Sequence, residues 1–144
     1  MLTSALFSTF HIFALVLGLP AVWLRGRAMQ RQDLPALFRA DAAWGIAALL
    51  WIVTGLTRVF FTEKGPSWYA NQPLFWHKMG LFALVFVLEI WPMITFVRWR
   101  RLRASGKDVD LTRLPALIRV NKVEVALVII IPFFASMMAR GVGG

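Results

Sequence analysis

The sequence predicts an all-α fold: a polytopic membrane protein built as an antiparallel four-helix transmembrane bundle from two tandem helical hairpins. Three observations carry that expectation. The chain of 144 residues is 59% hydrophobic and only 16% charged, and its mean hydropathy of +0.67 leaves too little polar surface for a soluble domain. Four apolar segments, Leu2–Leu24, Ala42–Phe61, Leu74–Val97 and Val123–Ala139, approach the roughly 20 residues needed to cross a hydrocarbon core. Finally, Leu34-Pro35-Ala36-Leu37-Phe38-Arg39-Ala40-Asp41 returns as Leu114-Pro115-Ala116-Leu117-Ile118-Arg119-Val120-Asn121. Each copy follows a proline and an Arg-x-Arg: Pro20 with Arg25-Gly26-Arg27, then Pro92 with Arg98-Trp99-Arg100. Residues 1–144 are therefore read as a single transmembrane domain, with hairpin repeat one at about 1–62 and repeat two at about 73–144.

The formal net charge is +9, and its distribution argues for topology rather than nucleic-acid binding. Twelve of the sixteen Lys and Arg residues lie in or beside the two Arg-x-Arg loops; Arg58, Lys64, Lys78 and Arg140 lie towards the other side. Short basic loops stay cytoplasmic, so both termini are expected in the periplasm of a bacterial inner membrane. The chain has no cysteine, which excludes disulfides, thiolate metal sites, iron–sulfur clusters and covalent c-type haem. Its first apolar run lacks a basic n-region and an Ala-x-Ala site, so it reads as a retained helix.

In helix one, Ser4, Ser8, His11, Leu15, Gly18, Val22 and Arg25 follow one helical stripe. That polar stripe should face protein, because unpaired polar groups are costly in hydrocarbon. Gly18 would allow a neighbouring helix to approach closely. The loop Arg25 to Asp33 ends in an N-cap, Asp33, ahead of a first-turn proline. In helix two, Asp41, Gly45, Ala48, Ile52 and Gly55 form a small-residue face suited to tight packing. The connection Thr62 to Gln72 holds a Gly65-Pro66 turn, and Trp68, Tyr69 and Trp76 read as an outer interfacial belt. Trp23, Trp44 and Trp99 form the expected inner belt, with Trp51 and Trp91 deeper as packing residues. Helix three carries Lys78, Phe82, Val85, Glu89 and Pro92 on one stripe; helix four carries Asn121, Glu124, Val128, Ile131, Ala135 and Met138. Between them, Arg98 to Arg113 reads as a solvated loop.

Chemistry can reside in two groups of residues. His11 lies deep in helix one, where an imidazole serves as a metal or haem ligand, a proton relay or a packing residue. Arg58 and Lys78 could take the propionates of a haem whose iron sits on His11, with Met79 or Met138 opposite. The second group is Asp41, Glu89 and Glu124 with Asn121, which relay protons or lock helices through ion pairs. Arg39, Arg119 and Lys122 are the expected neutralising cations.

The chain resembles a family of small bacterial four-helix membrane proteins of unknown function, through Arg39-Ala40-Asp41-Ala42-Ala43-Trp44-Gly45, Val53-Thr54-Gly55-Leu56-Thr57-Arg58 and Glu63-Lys64-Gly65. More distantly it is similar to the HemJ-type protoporphyrinogen oxidases, in Phe10-His11-Ile12, Arg27, Thr54-Gly55 and Trp76-His77-Lys78. That resemblance implies haem b on His11 and a need for the basic residues Arg27 and Lys78. Glu89 stands where those oxidases tend to carry a histidine, and their Pro-Gly-Met stretch is not recognisable.

Three readings of function stay open. One is haem or porphyrin binding with a redox role. Another is a non-catalytic accessory or assembly subunit of a larger membrane complex. The last is proton or small-solute transport. Expected partners are the lipid bilayer and either a membrane-complex partner or a second copy of the chain, with no nucleic acid.

Overall fold

A computed structural model of the chain describes residues 2–61, 65–71 and 73–140. Among the described residues the chain forms α1 (Leu2–Arg31), α2 (Leu34–Phe61), α3 (Gly65–Ala70), α4 (Pro73–Ala104) and α5 (Leu114–Ala139), all helical as expected. Three of them contain stretches long and apolar enough to cross a membrane: Ala5–Arg31, Leu34–Thr57 and Phe75–Ala104.

The helices run further than the apolar segments predict. Arg25, Arg27 and Arg98 to Arg103, read as loop residues, lie on the last turns of α1 and α4. Hydropathy reports how much of a helix is apolar, whereas hydrogen bonding continues through Arg and Gln, which are good helix formers. What stops α1 is a Schellman turn. Asp33 N–H donates to Ala28 O at 3.0 Å, Gln32 N–H donates to Met29 O at 3.1 Å, and Gln32 adopts φ 54°. Asp33 then caps α2, accepting from Ala36 N–H at 3.2 Å. Gly106, at φ 71°, ends α4 in the same way, with Lys107 N–H on Leu102 O at 2.8 Å. Before α5, the Thr112 hydroxyl and backbone N–H both donate to Asp110 and hold its exposed carboxyl below the usual range.

The expected Gly65-Pro66 turn is instead the first turn of α3, where proline is tolerated because no amide donor is needed. Thr62, Glu63, Lys64 and Gln72 lie outside the described residues.

α1 packs on α2, α4 packs on α5, and the two hairpins join through α1 and α5. Gly18 makes the first contact possible: a Cβ there would sit 3.2 Å from Ala47 Cβ and 3.4 Å from the Trp44 ring. Two large apolar clusters result, beside a small one around Phe75. One gathers Val22, Trp44, Trp51, Val85, Val128 and Ile131 in the middle of the helices. The other, at the loop end, gathers Met29, Leu37, Phe96, Trp99, Leu114 and Leu117. The 98–113 stretch is thus less solvated than expected, since Trp99 is buried and Val109 and Leu111 pack on this second cluster.

The tryptophans correct the belt assignment. Trp44 and Trp99, placed by sequence in an interfacial belt, are buried inside the protein, whereas Trp91, expected to pack in the bundle, is at the surface. Hydropathy position gives depth along the helix and not direction around it. The outward faces of α1, α2 and α4 carry Phe13, Val16, Leu49, Val53, Phe86, Val87 and Ile94, the apolar surface that lipid solvates and water does not.

Candidate functional site

Between the two apolar clusters lies one arginine. Arg25 is completely buried, and its guanidinium reaches all three other long helices. Nε donates to Asn121 Oδ1 at 2.7 Å on α5. Nη1 donates to Asp41 Oδ1 at 3.0 Å on α2 and to Glu89 Oε1 and Oε2 at 2.5 and 3.0 Å on α4. Nη2 donates to Glu124 Oε2 at 2.5 Å on α5. The ring of Phe96 lies 5.5 Å from the guanidinium carbon, on the loop side. A guanidinium, with five donors spread over three nitrogens, serves these four partners at once, which the three donors of a single ammonium nitrogen would not.

The hub has a second tier. Trp44 Nε1 donates to Glu89 Oε2 at 3.1 Å, and Arg100 Nη2 donates to Asp41 Oδ2 at 3.1 Å and Phe38 O at 2.8 Å. Asn121 Nδ2 donates to Val22 O at 3.0 Å, and Gly26 leaves room for it: a Cβ there would meet Nδ2 at 2.6 Å. Two cations, Arg25 and Arg100, therefore face three carboxyl groups, Asp41, Glu89 and Glu124. Glu124 is fully buried, and its Oε1 has no hydrogen-bond partner among the described residues. An excess carboxylate with an orphaned oxygen is costly in a low-dielectric interior unless something neutralises it.

α2 and α4 meet through Arg100 at the loop end and, further along, through Trp44 on Glu89 and the edge of Trp51 against Phe82; beside these contacts a groove of about 260 Å³ lies between the two helices. Its walls are Ala48, Leu49 and Ile52 of α2 and Phe82, Phe86 and Met93 of α4. Asp41, Trp44 and Glu89 also line it. The face of Asp41, Gly45, Ala48 and Ile52, expected to pack tightly, is thus one wall of an opening, and nothing lies within 4 Å of a Cβ placed on Gly45.

From residue 3 to residue 143 the chain matches the model of a family described as Predicted membrane protein (DUF2214). The chain belongs to that family. No curated protein and no solved structure matches it, so the resemblance to HemJ-type oxidases rests on the residues quoted above.

In this DUF2214 chain the three carboxyl groups singled out from the sequence, Asp41, Glu89 and Glu124, come together with Asn121. Their cation is different from the expected ones. Arg39, Arg119 and Lys122 are all exposed, while Arg25, read from sequence as a loop residue, is the common partner. The stripe Ser4–His11–Gly18–Val22–Arg25 already turned it inward; what sequence reasoning did not draw from that stripe is that Arg25, rather than Arg39, Arg119 or Lys122, is the cation these carboxyl groups meet.

His11 faces α2. Its Nδ1 lies 2.9 Å from Thr54 Oγ1, its ring centroid is 5.6 Å from that of Trp51, and its Cε1 would be 3.4 Å from a Cβ on Gly55. Thr54 spends its hydroxyl proton on Leu50 O at 2.7 Å, so its oxygen is placed to accept from His11 Nδ1–H. Arg27 does not join His11: it is exposed and roughly 24 Å further along α1. Lys78 is half-buried on α4. The side chains of Arg58 and Met138 lie outside the described residues; Met79 packs beside Phe75 and Val59. Among the described residues no group of three or more His, Cys, Asp or Glu could hold a metal ion.

Proposed function

We propose that this is a four-helix integral membrane protein whose working part is the Arg25 hub, and that it couples proton binding at Glu124 to movement of a small solute. α5 is the fourth span, both termini are periplasmic and the basic loops are cytoplasmic, which agrees with the crowding of Lys and Arg at the loop end. The single observation that supports the reading is the unmatched carboxyl: three acids against two arginines, with Glu124 Oε1 buried and unpartnered among the described residues. In such surroundings one proton on Glu124 balances the cluster, leaving Arg25 to Asp41 and Glu89. The groove between α2 and α4 gives the hub a route to the bilayer, while the Phe96–Trp99–Leu117 cluster separates it from the loops. The tandem-repeat reading suits this site, because the corresponding positions Asp41 and Asn121 both bind Arg25.

Infrared difference spectroscopy of the protein in nanodiscs tests this. A pH step should reveal a carboxylic acid C=O band that titrates reversibly and is absent from Glu124→Gln. A titrating band that is the same in Glu124→Gln, or no such band at all, overturns the reading.

A haem-linked role for His11 is a second proposal. Its support is the Thr54 bond, which orients the imidazole as outer-shell partners orient metal-ligating histidines. The absorption spectrum of detergent-purified protein tests it: a Soret band lost in His11→Ala supports it, and one unchanged in that variant disposes of it.

A further inference from the structure

The groove between α2 and α4 is apolar along most of its length, yet it has an acidic end. Asp41 and Glu89 line it with side chains 16% and 21% exposed, whereas Arg25, which pairs with both, is 0% exposed and takes no part in the wall. Arg100 holds the other oxygen of Asp41 from the loop side. A molecule in the groove therefore meets carboxylate oxygens, and the arginines lie behind them. Counting every charged group that faces Glu89, namely Arg25, Asp41 and Glu124 directly and Arg100 through Asp41, the cluster carries one negative charge in excess when all are ionised. The remaining lining suits an organic cation as well: Trp44, Trp51, Phe82 and Phe86 offer aromatic rings, and ring faces attract alkylammonium groups. At about 260 Å³ the space is below the usual size for drug-like ligands. It suits a compact body of about one ring.

From this we infer that the groove binds a small lipophilic monocation from the bilayer, its ammonium head at Glu89 and its apolar body against Phe82, Phe86 and Ile52. This rests on the proton-coupled reading above and names its substrate class. The cation and the proton satisfy the same single excess charge, so binding of one expels the other. No bond is made or broken apart from the transfer of that proton from Glu124 to solvent.

The test is equilibrium dialysis of radiolabelled benzyltrimethylammonium against the full chain in nanodiscs, with empty nanodiscs as blank. The probe has no titratable group, so any pH effect belongs to the protein. Saturable binding near one per chain is expected, weakening as pH falls and not displaced by neopentylbenzene, its uncharged carbon isostere. Glu89→Gln should bind roughly tenfold more weakly or worse, as befits loss of a charge-assisted contact. Ala48→Trp, which fills the groove without touching the ionic cluster, should lose binding while keeping the wild-type near-ultraviolet circular dichroism. Absence of saturable binding, binding retained in Ala48→Trp, or displacement by neopentylbenzene overturns the site. Binding that is intact but independent of pH leaves the site standing and removes the proton coupling. A titrating Glu124 band without probe binding does the reverse.

Discussion

Arg25 decides most of what happens at the scale of single residues. Its guanidinium binds Asn121, Asp41, Glu89 and Glu124, so truncation leaves the buried Glu124 and the half-buried Glu89 without a cation, Asp41 alone keeping Arg100. Arg25→Met should cost about 3–5 kcal/mol in thermal unfolding in detergent, the loss expected when one partner of a buried ion pair is removed. Arg25→Lys should recover little of this, because one ammonium nitrogen has three donors and cannot span the four partners that Nε, Nη1 and Nη2 reach. The exposed Arg119, the cation expected from sequence, supplies the contrast: Arg119→Ala should stay within about 0.5 kcal/mol of wild type. Equal losses at positions 25 and 119 would refute the hub as the organising contact. Glu124→Gln removes the unmatched charge while keeping an acceptor for Nη2, and unfolding should show it no less stable than wild type at neutral pH. Glu89→Gln, which weakens a pairing shared with Trp44 and Arg25, should be the less stable of the two.

At the scale of elements, contacts depend on how closely helices approach. Gly26 and Gly18 mark the two places where α1 admits a neighbour, one facing Asn121 and the other facing Ala47 and Trp44. Gly26→Ala would push on an amide that is fixed between Arg25 and Val22 O, so it cannot move aside without breaking the hub. A loss of about 1–3 kcal/mol in unfolding free energy is expected, despite the better helix propensity of alanine. The α1–α2 turn offers the opposite sign. Gln32 holds φ 54°, where a side chain is strained, and Gln32→Gly should raise stability by roughly 1 kcal/mol, read as a higher unfolding temperature. The helix ends were partly legible in sequence: Asp33 was identifiable as a cap by its place before Leu34-Pro35. The ends of α1 and α4 were not, since a charged run looks like a loop in a hydropathy profile while its backbone remains helical.

Across the whole molecule, the distribution of Lys and Arg predicts which ends face the cytoplasm, and the absence of cysteine makes that simple to examine. Single replacements Ser105→Cys, in the turn after α4, and Ser67→Cys, in α3, lie at opposite ends of the long helices. In intact cells a membrane-impermeant maleimide should label position 67 and reach position 105 only after permeabilisation. Labelling in the reverse order would invert the proposed topology and put the Arg25 hub nearer the periplasm.

The sequence alone determined that the chain is helical and apolar, which residues share an inward stripe, and which carboxyl groups are worth watching, because periodicity and burial costs act locally along each helix. Asp41, Glu89, Asn121 and Glu124 stood out simply as polar groups on otherwise apolar segments. What only the tertiary structure decided is which cation meets them and where the helices part. Arg25 joins Glu124 across 99 positions of chain, and α2 and α4, whose hairpins join through α1 and α5, meet through long side chains, Arg100 on Asp41, Trp44 on Glu89 and Trp51 against Phe82, with the groove beside them. Such long-range juxtapositions depend on how helices rotate and cross when they pack, and no single segment carries that information.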